Sequence, residues 1–177
     1  MKNFTNFILV AAVVSVMLVA GCASQNTPAT NYPNNPSNPS NPSTLVKVHN
    51  YQDFIPLLPA AQAGYVAGTP NGFTVGSMST ALRKDTLGES EIEVGITDDP
   101  SFRISFTLGD SQVDTGYIKS VTVKGYPARE VAEFSSGKYS VNVLIDNKLV
   151  FLITSPSLDV SYAYANAVNY ADIAAIA

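Results

Sequence analysis

The stretch KYSVNVLIDNKLVFLITS, residues 138–155, decides the fold because it predicts a β-hairpin that is apolar on both faces. Its turn is predicted at Asp146-Asn147, two residues that tolerate the positive φ of a two-residue hairpin loop. In this register one face carries Tyr139, Val141, Val143, Ile145, Val150 and Leu152, and the other carries Leu144, Leu149, Phe151 and Ile153. Strands with two apolar faces are covered on both sides, so this hairpin is predicted at the centre of a sheet.

A second hairpin is predicted over Ile92–Leu108, in the stretch EIEVGITDDPSFRISFTLGD of residues 91–110. Apolar and polar residues alternate on both sides of Asp99, as in half-buried strands. A turn centred on Asp99 pairs Ile96 with Phe102 and gathers the apolar partners on one face. This hairpin is therefore predicted toward an edge of the sheet, with its other face open to solvent.

Shorter segments complete the predicted domain. Asn50 can cap a short helix that Pro56 limits to a turn or two. A first strand is expected around Phe73–Leu82, and two more on either side of a turn near Gly125.

A longer helix is expected at the C-terminus, with Ser157 or Asp159 as its cap. The predicted fold class is α+β: a single antiparallel β-sheet of six or seven strands packed with a short N-terminal helix and a longer C-terminal helix.

Residues 1–21 have the pattern of a secretory signal peptide. Lys2 precedes fifteen uncharged residues, Phe7–Gly21, which is shorter than the about 20 apolar residues that span a bilayer. LVAGC, Leu18–Cys22, resembles the lipobox of secreted lipoproteins of bacteria and some archaea. The resemblance implies that Cys22 carries a diacylglyceryl group and becomes the first mature residue. The alternative is a chance cysteine within a signal peptide.

Residues 22–44 are predicted to be the lipidated cysteine and a disordered stalk, followed by a single α+β domain at 45–177. The stalk has no charged residue and repeats Asn-Pro-Ser three times over Asn35–Ser43, a composition that cannot bury a core. The predicted location is the cell membrane, lipid-anchored and facing the outside of the cell.

The charge of the domain limits its partners. Residues 45–177 hold nine Lys or Arg and fourteen Asp or Glu, a net charge of −5. This balance argues against nucleic acid as a partner. The expected partners are the membrane, through the lipid on Cys22, and an envelope protein or small ligand. With no phosphate-binding glycine loop and no Cys/His cluster, no cofactor, metal or catalytic residue is assigned.

Three features of the sequence are candidate sites. His49, the only histidine, is interpreted as a solvated residue at the junction of stalk and domain, and alternatively as a general base. Glu89, Glu91 and Glu93 share one strand face, where a metal or an acid–base pair is the alternative to a solvated face that protects an edge. Tyr126 is either a packed turn residue or a recognition residue. Tyr126, Glu91 and Glu93 are the candidate interaction surface.

Phrases such as LLPAAQAGYVAGTPNG and VTVKGYPAREV resemble surface lipoproteins of methanogenic archaea, over nearly the whole mature domain. A tryptophan is expected in that family where Tyr65 stands. The strand-to-helix ending is similar to the PsbP-like fold. Neither resemblance implies an activity, so the main hypothesis is a non-enzymatic binding or interaction module on the envelope. The alternatives are a hydrolase-type enzyme with an unrecognised site and a purely structural surface protein.

Overall fold

A computed structural model describes residues 48–177, and the strands among them form one antiparallel sheet. The chain divides into two units, Met1–Thr44 and Leu45–Ala177, and the described residues lie in the second. The predicted signal peptide, the stalk and Cys22 lie outside the described residues.

The sheet is built from two runs of sequential strands. The strands are β1 Val66–Ala67, β2 Asn71–Val75, β3 Met78–Leu87, β4 Ser90–Thr97, β5 Ser111–Val113, β6 Gly116–Val123, β7 Tyr126–Glu133, β8 Lys138–Ile145 and β9 Leu149–Ser155. Their order is β1-β3-β4-β9-β8-β7-β6-β5, and β2 pairs with β3 beside β1. The β4–β9 pairing therefore joins the two runs.

Four α-helices accompany the sheet in residues 48–177. They are α1 Tyr51–Phe54, α2 Pro100–Ile104, α3 Leu158–Ala167 and α4 Tyr170–Ala174, and 3₁₀ turns at Ile55–Leu57 and Ser105–Thr107 extend α1 and α2. At α1, the Asn50 side chain accepts from the Gln52 amide while Asp53 accepts from the Asn50 amide, a capping box that confirms the predicted helix start. None of these helices is long and apolar enough to cross a membrane.

The sheet has nine strands within residues 48–177, so the predicted fold class with six or seven strands is wrong. The expected strand at Phe73–Leu82 is divided by a turn at Gly76 into β2 and β3. Two short strands, β1 and β5, were not predicted, because two or three residues are too few to show the alternation of apolar and polar residues that marks a strand. The fold is mostly β, with few helices.

The predicted Ile92–Leu108 hairpin is also wrong, because its second half is α2 and the 3₁₀ turn after it. The Asp99 carboxylate accepts a hydrogen bond from the Ser101 amide (2.8 Å) and Pro100 follows at the first helical position, a strong helix start. Phe102 and Ile104 are consequently exposed. The first half, β4, lies inside the sheet between β3 and β9 and not at an edge.

The central hairpin is present, and its register differs from the prediction by one residue. Asp146 and Asn147 have φ of 48° and 55°, which confirms the predicted position of the turn, but the loop has three residues instead of the predicted two. Lys148 then falls outside the ladder, so Ile145 pairs with Leu149 and Val143 with Phe151. Val143 and Phe151 therefore share one face, where the two-residue loop had placed them on opposite faces.

The predicted long C-terminal helix is two helices. Val168 between them has an extended ψ of 138° and is buried, so it breaks the helix to enter the core. The Lys124 ammonium donates to the main-chain oxygens of Asn166 and Val168, which places a positive charge at the C-terminal end of α3.

The sheet has two different faces. The core face carries fully buried apolar residues of β4, β8 and β9 that pack with residues of α1, α3 and α4: Val94, Ile96, Val141, Val143, Phe151 and Ile153. The opposite face, called the outer face below, carries the residues that alternate with these. Arg129 on this face holds the chain after α2 by donating to the main-chain oxygens of Phe106 and Leu108.

Candidate functional site: a polar groove on the outer face

A groove of about 550 Å³ lies on the outer face, between the β3–β4 turn and the β7–β8 turn. The residues that line it are Glu89, Ser90, Glu91, Glu93, Val131, Glu133, Ser136, Gly137, Lys138, Ser140, Thr154, Ser155 and Pro156. Two residues of the predicted interaction surface, Glu91 and Glu93, are among them. Tyr126 is not.

The floor of the groove is a row of cross-strand neighbours. Glu93 of β4 pairs with Thr154 of β9, Thr154 with Ser140 of β8, and Ser140 with Val131 of β7. The Ser140 and Thr154 hydroxyls are 2.9 Å apart and hydrogen-bonded. Hydroxyl and carboxylate groups thus replace the apolar residues that a covered sheet face would carry.

Carboxylates outnumber ammonium groups around the groove. Glu89, Glu91, Glu93 and Glu133 contribute four carboxylates, against Lys138 in the lining. Glu91 also accepts from the Lys84 ammonium (2.8 Å), an exposed ion pair that holds the pKa of Lys84 above its usual value. The groove therefore presents hydrogen-bond acceptors and a net negative charge. In residues 48–177, no group of three or more His, Cys, Asp or Glu side chains is placed to hold a metal ion.

His49 is buried, so its interpretation as a solvated junction residue is wrong. Its Nε2 donates to the Ile176 main-chain oxygen (2.8 Å), and its Nδ1 lies 3.3 Å from an oxygen of Asp98. The nearby Ser79 hydroxyl donates to the His49 main-chain oxygen and not to the ring. The three residues therefore do not form a catalytic triad, in which the base must contact the nucleophile.

Arg83 and Asp85 form a buried ion pair on the core face of β3. Arg83 donates from Nε and Nη2 to the two carboxylate oxygens (2.7 and 2.8 Å), and Nη2 also donates to the Pro59 main-chain oxygen. Tyr164 of α3 donates to Asp85 as well (2.7 Å). Burial alone raises the pKa of Asp85, but these hydrogen bonds outweigh it and hold that pKa below its usual value. Through its hydrogen bond to Pro59, Arg83 fixes the loop after α1 to the sheet.

A second buried carboxylate, Glu130 of β7, accepts a hydrogen bond from the Tyr162 hydroxyl of α3 (2.6 Å). The hydrogen bond from Tyr117 to Glu130, with burial, raises the pKa of Tyr117 to about 12. Burial first, and then the bond to Glu130, raises the pKa of Tyr162. Both phenols remain protonated at neutral pH and can donate hydrogen bonds to the Glu130 carboxyl group.

Tyr126, the third residue of the predicted interaction surface, is half-buried and packs into the core. Its ring lies 5.0 Å from that of Tyr170 in α4. This contact matches the interpretation of Tyr126 as a packed turn residue, and Tyr126 lies on the core face, away from the groove.

The groove could not be assembled from the sequence because its residues come from four strands whose order is not local. The alternation around Glu91 and Glu93 predicted that these two residues share a face. The groove residues of β7, β8 and β9 reach them only through the pairing of β4 with β9. Comparison of the chain with protein-family models, curated proteins and solved structures finds no match.

Proposed function

We propose that this protein is a lipid-anchored envelope protein that faces the outside of the cell and whose β-sheet domain is a non-enzymatic binding module. The observation that carries the proposal is LVAGC, residues 18–22, directly after the uncharged run Phe7–Gly21. A diacylglyceryl group on Cys22 supplies two acyl chains, enough for stable anchoring. The proline-rich residues 23–44 then serve as the spacer between the membrane and the domain.

The groove on the outer face is the proposed binding surface. Its lining offers carboxylates, hydroxyls and one lysine, with Val131 and Pro156 as apolar contacts. Such a surface suits a polar small ligand or a polar segment of an envelope protein better than an apolar one.

The hydrolase alternative has weaker support. Hydrolysis by a serine nucleophile needs a base in contact with the hydroxyl. In the groove, the Ser140 hydroxyl is bonded to the Thr154 hydroxyl, and both nitrogens of His49 have partners elsewhere.

The anchor is tested by moving the thiol. The wild-type protein should partition with membranes into detergent, and mass spectrometry should find a lipid on Cys22. The variant Cys22→Ser should be released, and so should Cys22→Ser/Ser24→Cys, which keeps a thiol two residues beyond the motif. An unmodified Cys22 in membrane-bound mature protein would refute the anchor.

The groove is tested by site-specific photocrosslinking in the native envelope. A photoreactive residue at Ser136, in the groove, should give a discrete adduct, whereas one at Lys124, on the core-face side near α3, should not. Glu93→Lys, which reverses a charge in the floor, should remove the adduct. An adduct that survives Glu93→Lys, or that forms equally from Lys124, would contradict binding in the groove.

A further inference from the structure

The edge of the sheet formed by β1 and β2 is uncharged and exposes three large apolar side chains among polar ones. Val66 is 69 % exposed, Phe73 54 % and Val75 60 %. The edge lies within residues 54–82, a run of 29 residues without Asp, Glu, Lys, Arg or His. Edge strands usually carry charges, prolines or a covering segment that prevents pairing with another sheet. Here Pro70 lies between β1 and β2, and neither strand contains a charged residue or a proline.

The exposed apolar residues share one face. Val66 pairs with Thr86, Phe73 with Thr80 and Val75 with Met78, all on the outer face of β3. On the core face, β2 is already covered, because the Tyr51 ring lies against Gly72 and leaves no room for a Cβ there. The Tyr51 amide also donates to the Thr74 hydroxyl (3.1 Å). Helix α1 thus holds β2 in place from the core face. It does not cover the free edge of β2 or the side of β2 on the outer face.

The opposite edge of the sheet shows the contrast. Two acids, Asp110 and Asp114, flank β5. The Asp110 carboxylate accepts hydrogen bonds from the Ser120 amide (2.7 Å) and hydroxyl (2.6 Å), so it blocks a main-chain donor of β6 that another strand could use. One edge of the sheet is therefore protected by charge and the other is not.

We propose that the β1–β2 edge pairs with the same edge of a second copy of this chain, with β2 antiparallel to β2 across a twofold axis at Phe73. This arrangement places Phe73 opposite Phe73 and Asn71 opposite Val75, so that apolar side chains of both copies are buried together on the outer face. The inference does not depend on the proposed function.

Charge favours a second copy over a strongly charged partner. Residues 45–177 carry a net charge of −5, so two copies repel each other across most of their surfaces. The uncharged edge is where two copies can approach without bringing like charges together. A strongly charged partner would find no complementary group there.

The test uses the full chain with Cys22→Ser, which has no cysteine and no lipid. Adding Phe73→Cys should give a disulfide-linked dimer on mild oxidation, because directly opposed residues of antiparallel strands lie within disulfide reach. Val113→Cys on β5, also an exposed edge position at 50 %, is the matched control and should remain mostly monomeric. Equal crosslinking of the two variants would overturn the proposal.

Sedimentation of the cysteine-free chain gives a second readout. It should show a concentration-dependent dimer, and Phe73→Lys should weaken that dimer at least about tenfold by placing two ammonium groups in opposition. Val113→Lys should leave it unchanged, and circular dichroism should show that both variants fold. If Phe73→Lys does not fold, Val75→Lys replaces it. A chain that stays monomeric into the submillimolar range would overturn the proposal. So would a dimer whose dissociation constant is the same in Phe73→Lys as in Val113→Lys.

Discussion

The Arg83–Asp85 pair shows how single residues hold this domain together without a disulfide. Both side chains are buried, and every charged oxygen of Asp85 has a donor, from Arg83 or Tyr164. A buried ion pair is costly to break from one side, because the remaining charge is left unpaired in the protein interior. The expected strand ended at Leu82, before both residues, so neither their shared face nor its burial was predicted from the sequence.

We expect Asp85→Ala to lower the free energy of unfolding by about 3–5 kcal/mol, because it leaves the buried Arg83 guanidinium without its carboxylate partner. Tyr164→Phe, which removes one hydrogen bond to Asp85, should cost about 1–2 kcal/mol. The double variant Arg83→Met/Asp85→Leu should be more stable than Asp85→Ala alone. Urea unfolding of the Cys22→Ser chain measures all three.

Glu91→Gln is the matched control, since it removes an exposed carboxylate of an ion pair and should barely move the unfolding midpoint. An Asp85→Ala variant as stable as Glu91→Gln would contradict the role assigned to the buried pair.

At the level of elements, local chemistry predicted the turns better than it predicted the registers. Asp146-Asn147 and the turn near Gly125 are where the sequence places them, because Asp, Asn and Gly favour the positive φ that these turns adopt. The register of β8 against β9 was missed because both faces are apolar, so a slip of one residue leaves the hydrophobic pattern almost intact. At Asp99-Pro100 the helix-starting pair overrode an alternating pattern that favours a strand.

A double-mutant cycle tests the hairpin register. Val143→Ala and Phe151→Ala should be coupled by about 0.5–3 kcal/mol, because the two side chains are directly opposed on the core face. Val143→Ala and Val150→Ala, whose side chains lie on opposite faces, should show clearly weaker coupling. Stronger coupling of Val143 to Val150 would support the two-residue loop instead.

At the level of the whole molecule, the sheet order is the feature that sequence patterns could not provide. Periodicity identifies strands and their faces, but the partner of β4 is separated from it by a helix and four other strands. The groove and the proposed dimer edge both depend on this order. Alternation in the sequence was enough to predict that Glu91 and Glu93 are exposed. It could not predict that Ser140 and Thr154 lie beside them.

Buried tyrosines make the stability of the domain sensitive to alkaline pH. Burial, and then the hydrogen bond to Asp85, raises the pKa of Tyr164 from 10.0 to about 12, and burial also raises that of Tyr170. A raised pKa in the folded state contributes stability that is complete below the unfolded value and is lost as pH rises through the folded value. We therefore expect stability to fall between about pH 10 and pH 12.

Tyrosinate absorbance and circular dichroism, followed together during an alkaline titration, measure this effect. Part of the tyrosinate signal should appear only as the native spectrum is lost. A titration in which every tyrosine ionises near pH 10 while the native spectrum persists would contradict it.

The joining of β4 to β9 has a further consequence for the order in which the domain folds. Strands β1–β4 and strands β5–β9 each form from neighbours in sequence, while Glu93 and Thr154, or Thr97 and Val150, are brought together from 61 and 53 residues apart. Closing a long loop costs chain entropy before its contacts repay it, so pairings of high contact order are formed slowly. We expect β1–β4 and β5–β9 to form locally and their docking along β4 and β9 to limit the folding rate, so that weakening the β4–β9 pairing slows folding more than weakening either outer hairpin.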